Sequence, residues 1–61
     1  MKRHIKCKAV NSNRRLSIVL RPDSRDKTKW FLGTPHGAML LNEDQMIQLA
    51  NAVADLLEDD E

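Results

Sequence analysis

Residues 38–49 read Ala-Met-Leu-Leu-Asn-Glu-Asp-Gln-Met-Ile-Gln-Leu, and within them the chain passes from extended to helical. Residues 38–41 suit a short strand. Asn42 then has the side chain of a helix N-cap, and Gln45 three positions later is placed to close a capping-box variant. Glu43 and Asp44 fall in the first turn, where the helix dipole favours negative charge. Leu41 before the cap and Met46 after it form a hydrophobic staple. The spacing predicts a helix over about 43–58. Its apolar positions fall on two ribs: Met46, Leu49, Val53 and Leu56, then Ile47, Ala50, Ala54 and Leu57. That stripe is wider than a small sheet needs. Two readings follow: the stripe packs on the sheet, or its second rib, where the small Ala50 and Ala54 permit close approach, forms a dimer interface through Ile47, Ala50, Ala54 and Leu57.

Upstream the period is two. Arg3, Ile5, Cys7 and Ala9 alternate with His4, Lys6 and Lys8, which reads as a half-buried strand with a basic outer side. Asn11-Ser12-Asn13 is a turn cluster. Leu16, Ile18 and Leu20 then alternate with Arg15, Ser17, Val19 and Arg21, so the first two strands make a hairpin. Pro22-Asp23-Ser24-Arg25-Asp26 ends the second strand. A third strand is expected over about 28–33, with Trp30 and Leu32 on one face and Lys29 and Phe31 on the other. A slip of one residue would exchange the two rings. Gly33-Thr34-Pro35-His36-Gly37 reads as a turn, with Gly37 suited to a positive φ. The expected fold is α+β: a small antiparallel sheet of three to four strands and one C-terminal amphipathic helix. The domain would span residues 1–58, followed by a frayed acidic tail over 59–61.

All ten lysines and arginines lie in the first 29 residues, and seven of the nine carboxylates lie in the second half. Residues 1–30 carry ten basic against two acidic groups, about +8, and residues 31–61 about −7, which a formal net charge of +1 conceals. Such asymmetry points to a polyanion meeting the first half. The alternative is a solvated basic sheet beside a solvated acidic helix. A chain of 61 residues with one cysteine has a marginal core and no intramolecular disulfide, which favours oligomerisation. No apolar run is long enough for a secretory h-region or a membrane span, so the expected location is cytoplasmic, with no membrane partner.

The outward strand faces gather Lys6, Lys8, Arg15, Arg21 and Lys29, spaced to follow a phosphate backbone. Phe31 alternates onto the same side, where a base could stack. Arg25 and Lys27 in the loop after Arg21 are either an arm over a bound strand or a solvated loop. His4, Cys7 and His36 show no zinc spacing, and Cys7 alternates inward, so no metal site and no cofactor are expected. No nucleophile has a base and an orienting group, and no glycine-rich phosphate loop follows a strand, so no enzyme is expected.

The order of four strands and a helix, with Leu41-Asn42-Glu43-Asp44-Gln45-Met46-Ile47-Gln48-Leu49, resembles the C-terminal part of the positive-cofactor family of transcriptional coactivators. That family has a Gly, a short strand, then Leu-Asn-x-acid-Gln-x-x-Gln-Leu opening its helix. Arg15-Leu16-Ser17-Ile18-Val19-Leu20-Arg21 is similar to its second strand. Here the inter-strand loops differ, one extra residue separates Gly37 from Leu41-Asn42, and the acidic helix end is longer. The resemblance implies transcription regulation by a dimer whose helices meet and whose basic sheet face binds single-stranded DNA. The Gly-Thr-Pro-His-Gly turn and the Ala-Leu-rich helix are also similar to those of small bacteriophage accessory proteins. The leading expectation is a homodimer that binds nucleic acid, single-stranded DNA first, through its basic sheet. The rivals are an accessory protein that engages a host protein through the acidic helix or a sheet edge, and a purely structural dimer.

Overall fold

Alternating apolar residues broken at Asn-Ser-Asn, at Pro22-Asp23 and at Pro35-His36 give strands joined by short reversals. In the computed structural model, which describes residues 1–59, these are β1 (Arg3–Lys8), β2 (Arg15–Pro22), β3 (Lys29–Thr34) and β4 (Gly37–Asn42), followed by α1 (Glu43–Glu58). The strands form one antiparallel sheet in the order β1-β2-β3-β4. The sheet has four strands; β2 and β4 run about a residue beyond the bounds expected from sequence, and β3 is shifted one residue toward the C-terminus.

The register sorts the side chains. Ile5 opposes Ile18, Leu20 opposes Leu32, and Trp30 opposes Leu41, so one face is apolar across all four strands. Lys8 opposes Arg15, Arg21 opposes Phe31, and Lys29 opposes Asn42, so the other face carries the cations and the phenyl ring. Trp30 therefore belongs with the apolar residues and Phe31 with the basic ones.

The β2–β3 loop is held by its own aspartates. The Asp23 carboxylate accepts from the backbone N–H groups of Arg25 (3.2 Å) and Asp26 (2.9 Å). Asp26 accepts from the Thr28 hydroxyl (2.6 Å) and backbone N–H (2.9 Å), and those bonds hold its carboxyl below the ordinary aspartate range. Arg25 and Lys27 stand outward on this closed loop. At the β3–β4 turn, the Thr34 hydroxyl donates to the Gly37 carbonyl at 2.9 Å. Gly37 has a φ of 158°, close to fully extended, and pairs with Thr34 as the first residue of β4 rather than as a left-handed turn corner.

The helix begins without a linker. Asn42 is both the last residue of β4, opposite Lys29, and the N-cap of α1. Its side chain accepts from the Gln45 N–H (2.8 Å), and the Gln45 side chain accepts from the Asn42 N–H (3.0 Å), completing the capping box. At the far end, Asp59 is the C-cap, and its N–H donates to the Asp55 carbonyl at 3.1 Å. The rest of the expected acidic tail, Asp60 and Glu61, lies outside the described residues.

The helix leaves β4 without an intervening turn, and it lies over little of the sheet that precedes it. Here α1 touches only β4 and β3. Met46 is its one half-buried residue, while Leu56 and Leu57 are 75% and 79% exposed. The expected packing of the Met46, Leu49, Val53 and Leu56 rib on the sheet therefore stops at Met46. On the sheet itself, Ile5 and Met39 are 55% and 54% exposed. Among the described residues none is fully buried. The radius of gyration, 13.4 Å, exceeds the roughly 10–11 Å of a packed chain of this length.

Because so little tertiary contact supports α1, its cap carries unusual weight. Asn42→Ala is expected to lower stability by about 1 kcal/mol, read as a shift of the urea midpoint followed by far-ultraviolet circular dichroism. An unshifted midpoint would mean that the capping box does not stabilise the helix.

Candidate nucleic-acid interface

Alternation puts every second residue of each strand on the basic face, and the antiparallel register then decides which of them meet. Lys8 lies opposite Arg15 and Lys6 opposite Ser17, so Lys6, Lys8 and Arg15 share the corner by the β1–β2 turn. Asn13 joins them around a shallow depression. Arg21 and Phe31 are opposed further along, with Lys29 two residues beyond Phe31 on β3. Arg15 and Arg21 are six residues apart on β2, about 20 Å in an extended strand. The expected binding residues thus form two groups at opposite ends of one face.

Between the groups runs a row of small residues. Val19 opposes Gly33, and Gly33 opposes Ala38, which gives the face a low apolar floor. A groove of about 620 Å³ lies over it, rimmed by Lys2, Arg14, Arg15, Arg21, Phe31, Thr34 and Pro35. Sequence reading missed this floor. Alternation alone placed Val19 outward, but only the cross-strand register reveals that it neighbours Gly33 and Ala38.

The Phe31 ring does not stand alone. The Arg21 guanidinium lies over it, with Cζ 4.2 Å from the ring centroid, a cation–π contact. The same guanidinium donates from Nη1 to the Pro22 carbonyl at 3.2 Å. On its other flank the ring reaches across Gly33, where an added Cβ would sit 2.7 Å from Phe31 Cε1. Phe31 is accordingly half-buried although it lies on the outward face.

Among the described residues no carboxylate forms an ion pair with Lys6, Lys8, Arg15 or Arg21. Their charge is left unneutralised on one side of the sheet, a surface that attracts anions. Cys7 lies in β1, half-buried, and places its Sγ 3.8 Å from the Ile5 carbonyl. His4 shares the basic face with Lys6, while His36 sits in the β3–β4 turn. No three His, Cys, Asp or Glu residues gather as a metal site among the described residues. No helix among them is long and apolar enough to cross a membrane. The chain matches no family model, no curated protein and no solved structure.

The close approach at Gly33 supplies a test. Gly33→Ala is expected to displace the ring rather than the backbone, at about 1 kcal/mol for an off-rotamer phenyl and a weakened cation–π contact. In the proton NMR spectrum the Arg21 side-chain resonances, shifted by the ring current, should move back toward ordinary positions. Unchanged Arg21 resonances would mean that Gly33 does not seat the ring.

Proposed function

We propose that the chain binds single-stranded DNA across the basic sheet face of a homodimer, by charge neutralisation and base stacking without a cofactor. The observation that carries this reading is the segregation of the sheet: Lys6, Lys8, Arg15, Arg21 and Lys29 share one face with Phe31, while apart from Arg3 the other face is largely apolar. A protein that must hold a polyanion and associate with itself needs both surfaces at once, and here they do not compete. Lys6, Lys8 and Arg15 contact phosphates at one end of the groove and Arg21 and Lys29 at the other, where Phe31 serves base stacking. The apolar floor of Val19, Gly33 and Ala38 suits unstacked bases, which a duplex does not present.

The binding reading predicts a steep salt dependence. The logarithm of affinity for a single strand should fall with that of salt concentration by about 0.7 per phosphate contacted. Lys6 and Lys8 replaced together by Ala should make the slope shallower, and duplex competitors should displace the DNA poorly. An unchanged slope would locate the phosphate contacts elsewhere. Absence of binding at low salt would favour a protein partner at the acidic helix or a sheet edge.

The homodimer rests on area. The chain exposes 5516 Å², against about 4,000 Å² for a packed monomer of 7.0 kDa. The excess is more than the roughly 800 Å² that each partner contributes to a standard interface. The exposed apolar side chains include Ile5 and Met39 of the sheet and Ile47, Leu49, Val53, Leu56 and Leu57 of the helix, surfaces that a second chain could cover. Ile47, Ala50, Ala54 and Leu57 line the helix side of this contact, with Ala50 and Ala54 allowing close approach. Sedimentation equilibrium at micromolar concentration should show a dimer that Ala54→Glu weakens. A species of 7.0 kDa alone, well above that range, would remove the dimer.

A further inference from the structure

We propose that the plane on which a base stacks is the guanidinium of Arg21, with the Phe31 ring beneath it as support. This rests on the nucleic-acid reading and refines which group meets the base. Phe31 is the one aromatic residue on the basic face, and in the free protein one of its ring faces is already occupied: Arg21 Cζ lies 4.2 Å from the centroid. The ring is also held from the side, because it reaches across Gly33 so closely that an added Cβ would stand 2.7 Å from Cε1. It is therefore a seated group rather than a free platform.

The guanidinium above it is differently placed. Arg21 is directly opposite Phe31 in the β2–β3 register, so the backbone itself holds the two together. One of its N–H groups donates to the Pro22 carbonyl at 3.2 Å, which restrains the side chain. No carboxylate pairs with it among the described residues, so its other donors are uncommitted. A guanidinium is planar, stacks on aromatic rings, and presents its donors in its own plane. A base laid on it keeps the Arg21–Phe31 contact intact, whereas a base laid on the covered ring face would first have to displace the cation and forfeit that contact. The in-plane donors point outward from such a stack, toward the phosphates that flank the base. One side chain then supplies both a stacking surface and a charge.

The test uses the full chain and two fluorescein-labelled probes of equal length and phosphate count, an oligo(dT) and an abasic oligonucleotide. Each is titrated by fluorescence anisotropy at several salt concentrations. The wild type is expected to prefer oligo(dT) by about tenfold or more, the size of one base stack. Arg21→Lys keeps the charge and removes the plane. It should lose most of the preference for bases while lowering the abasic affinity and altering the salt slope far less. Arg21→Gln, planar but neutral, should bind both probes more weakly with a shallower slope and keep part of the preference. Circular dichroism verifies that each variant is folded. An Arg21→Lys preference equal to or greater than that of the wild type would overturn the inference and make the uncovered Phe31 ring the stacking surface. A wild type that binds both probes equally would overturn it too, leaving DNA binding in place. A wild type that binds neither probe at low salt would overturn the nucleic-acid reading itself.

Discussion

Asn42 serves two elements at once, and the rest of the molecule depends on that economy. It closes the β3–β4 ladder opposite Lys29 and caps α1 through a reciprocal pair of bonds with Gln45. Its φ of −85° and ψ of −179° are those of a strand residue, so no reversal separates sheet from helix. A linker of a few residues would let α1 turn back and lay its apolar stripe on Ile5, Ile18 and Leu32. Without one, the helix meets its own sheet at Met46 and little else. The hydrophobic effect still acts on both uncovered surfaces. Association is the remaining way to remove them from water.

The charge distribution is consistent with this division. The cations occupy the sheet face opposite the apolar one. The helix carries Glu43 and Asp44 in its first turn, where the dipole welcomes them, but its last turn contains no basic residue. Asp55, Glu58 and Asp59 therefore reinforce the negative end of the dipole instead of offsetting it. The field of the molecule is therefore negative at the far end of the helix and positive on the sheet, which in the proposed function would steer a polyanion to the sheet.

Much of this was legible in the sequence because it depends on short-range periodicity. Period two from Arg3 to Arg21 gave the first hairpin and its two faces, and alternation from Lys29 put Phe31 outward and Trp30 with the apolar residues. The cap was readable from Asn42 and Gln45 alone. What escaped needed distances between strands. The Val19, Gly33 and Ala38 floor joins residues from three strands, and the Arg21 cover on Phe31 follows from a cross-strand pairing that no local pattern reveals. The helix packing was misjudged for a different reason. An amphipathic stripe shows that a face will be covered, but it does not say by which chain, and that depends on the length of the preceding connection.

A single-layer sheet with different surfaces on its two sides is sensitive to register, since a slip of one residue along β3 would put Trp30 among the cations and Phe31 against the apolar face. The β2–β3 loop is what fixes it. The Asp23 N–H donates to the Lys29 carbonyl at 3.0 Å, and the Lys29 N–H to the Asp26 carbonyl at 3.1 Å, so the loop closes at one length only. The Asp26 carboxylate, accepting both Thr28 donors, braces the second half of that closure. Its pKa is lowered by those bonds, so its contribution is complete at neutral pH and is lost only as pH falls through that lowered value. The pairing of Arg21 with Phe31 is thus set by two aspartates that lie off the basic face. They are the only carboxylates in the cationic half of the chain; the charge of Lys29 adds to the lowering of the Asp26 pKa, while Lys6, Lys8, Arg15 and Arg21 have no carboxylate partner among the described residues.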